Sequence, residues 1–260
     1  MEKSKIEWTD YTWNPVTGCK HKCPYCYAEK MSTRFRGDIR RNKVIANYTE
    51  ENGNFVIENE IQARNGRTIL FPFGFAPTLH INRLEKNCKP RNVLKPSSFF
   101  VGSLCDLFGE WVPDEWIERV FKICSENPHH RYLFLTKNPQ RYYDLHSSGK
   151  LPEAENMWYG TTVTKEGDPY FRAHEYKTFI SFEPLQGQIT SAHAFAGVDW
   201  VIVGMETGQR RNKVIPPKEW ISDIRSMCRE LKIPLFLKNN LSEIWTDKLI
   251  QEYPWGEDNG

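Results

Sequence analysis

A chain of 260 residues with 35 Lys and Arg against 33 Asp and Glu, 39% hydrophobic and 13% aromatic, has a globular composition, which excludes a disordered or strongly basic protein. Its length suits one α/β barrel domain with insertions, spanning residues 1–260. A net charge of +2 with a pI near 8.1 permits a nucleic-acid partner but lacks the usual basic footprint of one.

Taken from the N-terminus, MEKSKIEWTD lacks the apolar centre of a signal peptide, and no later stretch reaches the ~18 apolar residues of a membrane span. The expected location is the cytoplasm. Seven cysteines in that reducing compartment read as thiols or metal ligands, and the odd count agrees. Three of them, Cys19, Cys23 and Cys26, fall in the loop GCKHKCPYCYAE, and the helix-like segment YAEKMSTRF follows. The polar and Pro/Gly-interrupted stretch at about 38–97 reads as an insertion or lid, with a small hairpin expected around Asn65-Gly66.

From there a rhythm of strand, polar tip and helix sets in. Apolar runs at 99–106, 132–137, 157–164, 177–184, 199–207 and 234–239 are continuous, not alternating, as in strands buried on both faces of a parallel sheet. Amphipathic helices follow Pro113-Asp114, with Trp116, Ile117, Val120, Phe121 and Cys124 on one face, and Pro216-Pro217, with Trp220, Ile221, Ile224, Met227, Cys228 and Leu231. Right-handed crossovers curl six or seven such units into a partial or full parallel (β/α) barrel, with an open doubly wound sheet as the alternative.

In such a barrel the site lies at the C-terminal ends of the strands. Asp106, Lys137, Thr161, Thr162, Glu183, Glu206 and Lys238 each close an apolar run there. Gly204 and Gly208, in the turn METGQRRNK, would let backbone amides approach a ligand, and Arg210 and Arg211 are either substrate contacts or an exposed basic turn.

The cysteine loop carries the most specific chemistry. Three thiolates within eight residues, turned by Gly18 and Pro24, select zinc, copper(I) or an iron–sulfur cluster. Structural zinc wants four protein ligands, no second cysteine pair follows, and His21 would strain the loop to join; three ligands leave one iron open. Structural zinc and three free thiols remain the alternatives.

With its C-x3-C-x2-C spacing and Tyr25 before the third cysteine, the loop resembles the radical S-adenosylmethionine (SAM) superfamily. That resemblance implies a partial or full parallel (β/α) barrel of the radical SAM type with an insertion after the cluster loop. It implies a [4Fe–4S] cluster on Cys19, Cys23 and Cys26, and SAM on the open iron. It also implies reductive cleavage of SAM to a 5′-deoxyadenosyl radical that abstracts hydrogen from substrate, with flavodoxin or ferredoxin as the kind of reductant. WNPVTGCKHKCPYCYAE, GSLCDLFGEWVPDEWI, LTKNPQR, MWYGTTV, SFEPLQG, DWVIVGMETG and PLFLKN are similar to a phage-associated family of unassigned function. More distantly they are similar to spore photoproduct lyase-type enzymes, the one pointer to a nucleic-acid substrate.

On that reading Tyr25, Asp106, Lys137, Thr161, Glu183 and Glu206 orient SAM and substrate. Cys105, where the phage-associated family has a small Ser, becomes either a hydrogen-atom donor or an inert core thiol. His80 and Arg83, matching positions of the family pattern, are expected in the substrate pocket; Cys124 and Cys228 are expected in the core. The rival function is a non-catalytic, metal-stabilised module that binds nucleic acid or a protein partner.

Overall fold

The computed structural model describes residues 4–208 and 210–256. After a short first strand, β1 (Tyr11–Trp13), come β2 (Val16–Thr17), the cysteine loop, helices α1 (Tyr27–Phe35) and α2 (Ile39–Ile45), and strands β3 (Tyr48–Glu51), β4 (Asn54–Ile57) and β5 (Thr78–His80). Helices α3 (Ile81–Leu84) and α4 (Lys89–Asn92) lead to β6 (Ser98–Val101), α5 (Asp114–Glu126), β7 (Arg131–Thr136), α6 (Gln140–Ser147) and β8 (Met157–Thr162). The chain ends with β9 (Lys177–Phe182), β10 (Trp200–Val203), α7 (Lys218–Leu231) and β11 (Leu235–Leu237).

Seven of these strands form one wholly parallel sheet in the order β1-β6-β7-β8-β9-β10-β11. It curls into a half-barrel, and β1 and β11 remain unpaired with each other. Both faces are covered, which is why the runs are continuously apolar. Inward, Phe100, Leu133, Trp158, Phe179, Trp200, Ile202 and Phe236 pack with Trp8 from the N-terminal segment. Outward, Phe99, Tyr132, Phe134 and Tyr159 pack against α5 residues Ile117, Val120, Phe121 and Cys124, and the alternate residues of β9 to β11 pack against α7 residues Ile221, Ile224 and Cys228. The phase of this alternation is tightly set at Gly160, where a Cβ would lie 2.2–2.5 Å from the ring of Phe179.

The rhythm departs from expectation at two crossovers. Between β8 and β9 there is no helix, and between β9 and β10 there is only the 3-10 turn Ala192–Phe195. Irregular chain carrying Val163, Leu185, Ile189, Phe195 and Val198 covers the sheet there instead.

Strands β3, β4 and β5 join β2, which precedes the cysteine loop, in a four-stranded sheet of order β2-β5-β4-β3. Its main hairpin turns at Asn52-Gly53, whose φ values of 52° and 72° are those of the turn that matches strand twist. A smaller turn closes at Asn65-Gly66, as expected, through the Gln62–Thr68 bridge and an Ile69 N–H to Ile61 carbonyl bond of 2.8 Å. His80 and Arg83, expected in the substrate pocket, instead hold the fold together, His80 tying β5 to β2 within this sheet and Arg83 tying the sheet to the barrel beyond β1. His80 is buried against Thr17 Oγ1 at 2.9 Å, and Arg83 donates to the Asn14 carbonyl at 2.9 Å and to Glu60 Oε1 at 3.1 Å. No helix among the described residues is long and apolar enough to cross a membrane.

Candidate functional site

At the C-terminal ends of the strands the half-barrel opens into a cavity of about 320 Å3. Cys19, Cys23 and Cys26 all line it, as do Tyr25, Cys105, Asp106, Lys137, Thr162, Glu183, Glu206 and Lys238. The loop is held on both sides. Gly18 N–H donates to the Leu104 carbonyl (3.0 Å) beyond β6, and Cys19 N–H to the Phe75 carbonyl (3.1 Å) of the insertion. Gly18 has φ +86°, and a Cβ there would sit 2.2 Å from the Ala76 carbonyl oxygen, so only glycine fits. Cys26 caps α1, its Sγ accepting from Glu29 N–H at 3.4 Å.

Burial pushes the Cys19 thiol up to about 12 and raises Cys23 as well, although Lys137 nearby works the other way on Cys23. Burial also raises the Tyr25 phenol, whose ring lies 5.8 Å below the Lys137 ammonium. Such thiols surrender their protons only to a strong positive centre, as metal ligands do.

Asp106 does something other than wait for a ligand. Its Oδ1 accepts from Thr136 Oγ1 (2.8 Å) and Phe108 N–H (3.0 Å), and its Oδ2 from His21 Nε2 (2.7 Å) and Lys137 N–H (2.9 Å). Desolvation works to raise this carboxyl, yet those bonds, His21 first, hold it below the ordinary carboxylate range. Asp106 thus ties the cysteine loop to the tips of β6 and β7. The bond to Asp106 takes up one ring nitrogen of His21, which packs edge-on against Trp111 and also lines the cavity.

Thr161 and Thr162 part company. Thr162 lines the cavity, whereas Thr161 faces the helix layer and accepts from Phe171 N–H at 3.1 Å, so it is Thr162 that a bound molecule would meet. Glu183 and Lys238 form an ion pair across β9 and β11. Gly204 makes room for it rather than offering a backbone amide, since a Cβ there would lie 2.9 Å from the Lys238 chain and 3.4 Å from the Glu183 carboxyl. Glu206, buried, is clamped by Arg210 through two bonds of 2.7 Å. Cys105 is half-buried beside Gly102, and desolvation holds its thiol well above the ordinary value.

Two residues were missed by sequence reasoning. Ser181 and Trp8 both line the cavity, and Ser181 Oγ and Trp8 Nε1 are buried without a hydrogen-bond partner. Unanswered buried polar groups are rare and mark places where a ligand can supply the partner. Ser181 lies two residues before Glu183 on one strand and could have been found by alternation; Trp8 lies outside any strand and gave no signal.

The donor set suits an iron–sulfur cube. Three free thiols of one loop face one cavity. Among the described residues no three His, Cys, Asp or Glu side chains gather as ligands of a single ion do.

A family model described as "Protein of unknown function (DUF5131)" matches residues 3–248, and the chain belongs to that family. No curated protein matches. Among solved structures, the chain is similar to a spore photoproduct lyase variant with bound AdoMet and dinucleoside spore photoproduct, with a TM-score of 0.53 and 10% identity over 90% of this chain and 78% of that one. It is also similar to spore photoproduct lyase complexed with dinucleoside spore photoproduct, with a TM-score of 0.51 and 11% identity over 91% and 78%. At this identity the likeness concerns the fold, which is the partial (β/α) barrel of the radical SAM type.

Proposed function

We propose that this member of the DUF5131 family is a radical SAM enzyme in which Cys19, Cys23 and Cys26 hold a [4Fe–4S] cluster beside a bound SAM. The observation that carries the reading is the placement of all three loop thiols on one cavity at the C-terminal ends of the strands. When bound, the cluster and SAM together supply reductive C–S cleavage and hydrogen abstraction, fed by an external reductant such as flavodoxin or ferredoxin.

The chain's own residues then bind, orient and exclude water. Glu183 and Lys238 offer an acceptor and a donor to the ammonium and carboxylate of a zwitterion, because charges taken out of water need partners. Ser181 Oγ and Trp8 Nε1 supply free donors to the deeper part of the ligand. Thr162 stands where Thr161 was expected, and Asp106 acts through His21 and the Lys137 amide to fix the loop. Cys105, kept protonated by burial, holds a hydrogen atom that a substrate radical could take.

Anaerobically reconstituted protein should be brown and should form 5′-deoxyadenosine from SAM when reduced. Cys19→Ala, Cys23→Ala and Cys26→Ala should each abolish both. Colourless, zinc-loaded protein that leaves SAM intact would overturn the reading in favour of a binding module.

A further inference from the structure

The near-neutral total conceals a strong segregation of charge. Between Lys20 and Lys43 the chain carries eight Lys and Arg against Glu29 and Asp38, so these 24 residues are +6 while the rest of a +2 protein is −4. Lys22, Lys30, Arg34, Arg36 and Arg40 are exposed, and none forms an ion pair among the described residues.

Helix α1 arranges part of this charge with aromatic rings. At about 100° per residue, Lys30, Arg34, Tyr27, Met31 and Phe35 follow one another around the helix in steps of about 40°. They form one arc beside the buried stripe of Ala28 and Ser32, while Glu29, the helix's one acid, points the other way. Tyr27 is 46% exposed and Phe35 41%, both unusual for large rings. The arc is continuous with the cavity: Tyr27 lines it, Cys26 caps the same helix, and Phe35 lies eight residues on, about 12 Å along the axis. Across the mouth Gly208 approaches the helix, a Cβ there lying 4.0 Å from Lys30 Nζ, and the turn at 210–213 adds Arg211 and Lys213.

We infer that α1 and this turn form a track for a single-stranded nucleic acid, which lays phosphates on Lys30, Arg34 and Arg211 and a base on Phe35, and directs one nucleotide into the cavity. This deepens the radical SAM reading by naming its substrate class, and rests on it for what happens in the cavity. An acidic peptide would use the charges but not the rings. An anionic membrane would meet a surface interrupted by a cavity about 320 Å3 in size. Cations set beside rings on an arc that ends in a pocket suit a chain with a charge and a π-face in every repeat.

The test is fluorescence anisotropy of labelled oligonucleotides, about 12 nucleotides long, on anaerobically reconstituted protein from about 50 to 200 mM salt. Single-stranded DNA or RNA should bind, weakening steeply as salt rises, the two probes distinguishing the sugar preferred. Arg34→Gln should flatten the log–log salt slope by about 0.7, one phosphate contact's worth. Phe35→Ala should weaken binding roughly tenfold with the slope unchanged. Should Phe35→Ala alter the circular dichroism spectrum, Lys30→Gln with Arg34→Gln carries the test through the slope alone. Binding absent at about 100 mM salt, binding indifferent to these substitutions, or capture by phosphatidylserine vesicles in place of oligonucleotides would overturn the track. Both variants should still cleave SAM without nucleic acid. Oligonucleotide binding by a wild-type protein that leaves SAM intact would count against the radical reading and leave the track standing.

Discussion

Replacing Asp106 by Asn exchanges one carboxylate oxygen for an NH2 group and should loosen the whole cysteine loop. The carboxylate receives four donors, two on each oxygen, and each oxygen has one backbone N–H: Phe108 on Oδ1 and Lys137 on Oδ2. The other two partners can adapt, since the Thr136 hydroxyl can rotate to accept and the His21 ring can change tautomer. The amides cannot. Whichever way the Asn amide is turned, its NH2 confronts a buried backbone N–H. That orphaned donor costs about 1–3 kcal/mol, and loss of the charge weakens the remaining bonds by roughly another 1 kcal/mol together, for a total of about 2–4 kcal/mol. Asp106→Ala, which strands all four donors, should cost at least as much, about 3–5 kcal/mol. Urea denaturation of the reduced, metal-free protein measures this, and iron and sulfide analysis after reconstitution measures how well the loop still holds a cluster. The reasoning is refuted if Asp106→Asn shifts stability by less than about 0.5 kcal/mol, the range of an ordinary surface change, and takes up a full complement of iron.

Two further outcomes follow from the same geometry. Gly160→Ala should destabilise by about 1–3 kcal/mol through overpacking against Phe179, and Phe179→Leu in the same chain should recover part of the loss; simple additivity in a double-mutant cycle would show that the two do not touch. Glu183→Gln should weaken SAM binding by roughly ten- to hundredfold, the worth of a charge-assisted hydrogen bond of about 1.5–3 kcal/mol, while iron content stays at the wild-type level; unchanged affinity in equilibrium dialysis would remove Glu183 from the ligand's contacts.

Much of the barrel was legible because burial on both faces leaves a plain mark. The six strands from β6 to β11 read as unbroken apolar runs. The seventh, Tyr11–Trp13, is three residues long with two of them half-buried, too short and too mixed for that signal. The same continuity that exposes a strand conceals its phase: with Thr161 and Thr162 both buried, nothing local says which faces inward, and the answer lies in Gly160 meeting Phe179 on the next strand. Missing helices after β8 and β9 were hidden by the regularity of their neighbours, although Gly167, Pro169 and Gly187 stand in those crossovers.

The site was legible at its chemistry-bearing residues and less so in their division of labour. Asp106 reads as a carboxylate at a strand tip, but its partners come from positions as far away as His21 and Lys137, and only folding reveals that they occupy it fully. His80 and Arg83 looked like pocket residues because they match positions of the family pattern, whereas here His80 ties β5 to β2 and Arg83 ties their sheet to the barrel. Total charge misled for a simple reason: a sum of +2 is compatible with a +6 segment wrapped around the cavity mouth.

The central claim is that the cluster held by Cys19, Cys23 and Cys26 keeps a corner to which no side chain of this protein binds. Electron paramagnetic resonance of the reduced, reconstituted protein with and without SAM addresses it directly. The account predicts a reduced [4Fe–4S] signal whose g-values shift when SAM is added. An iron–sulfur signal indifferent to saturating SAM, as expected if Cys105 or another side chain completed the coordination, would contradict it.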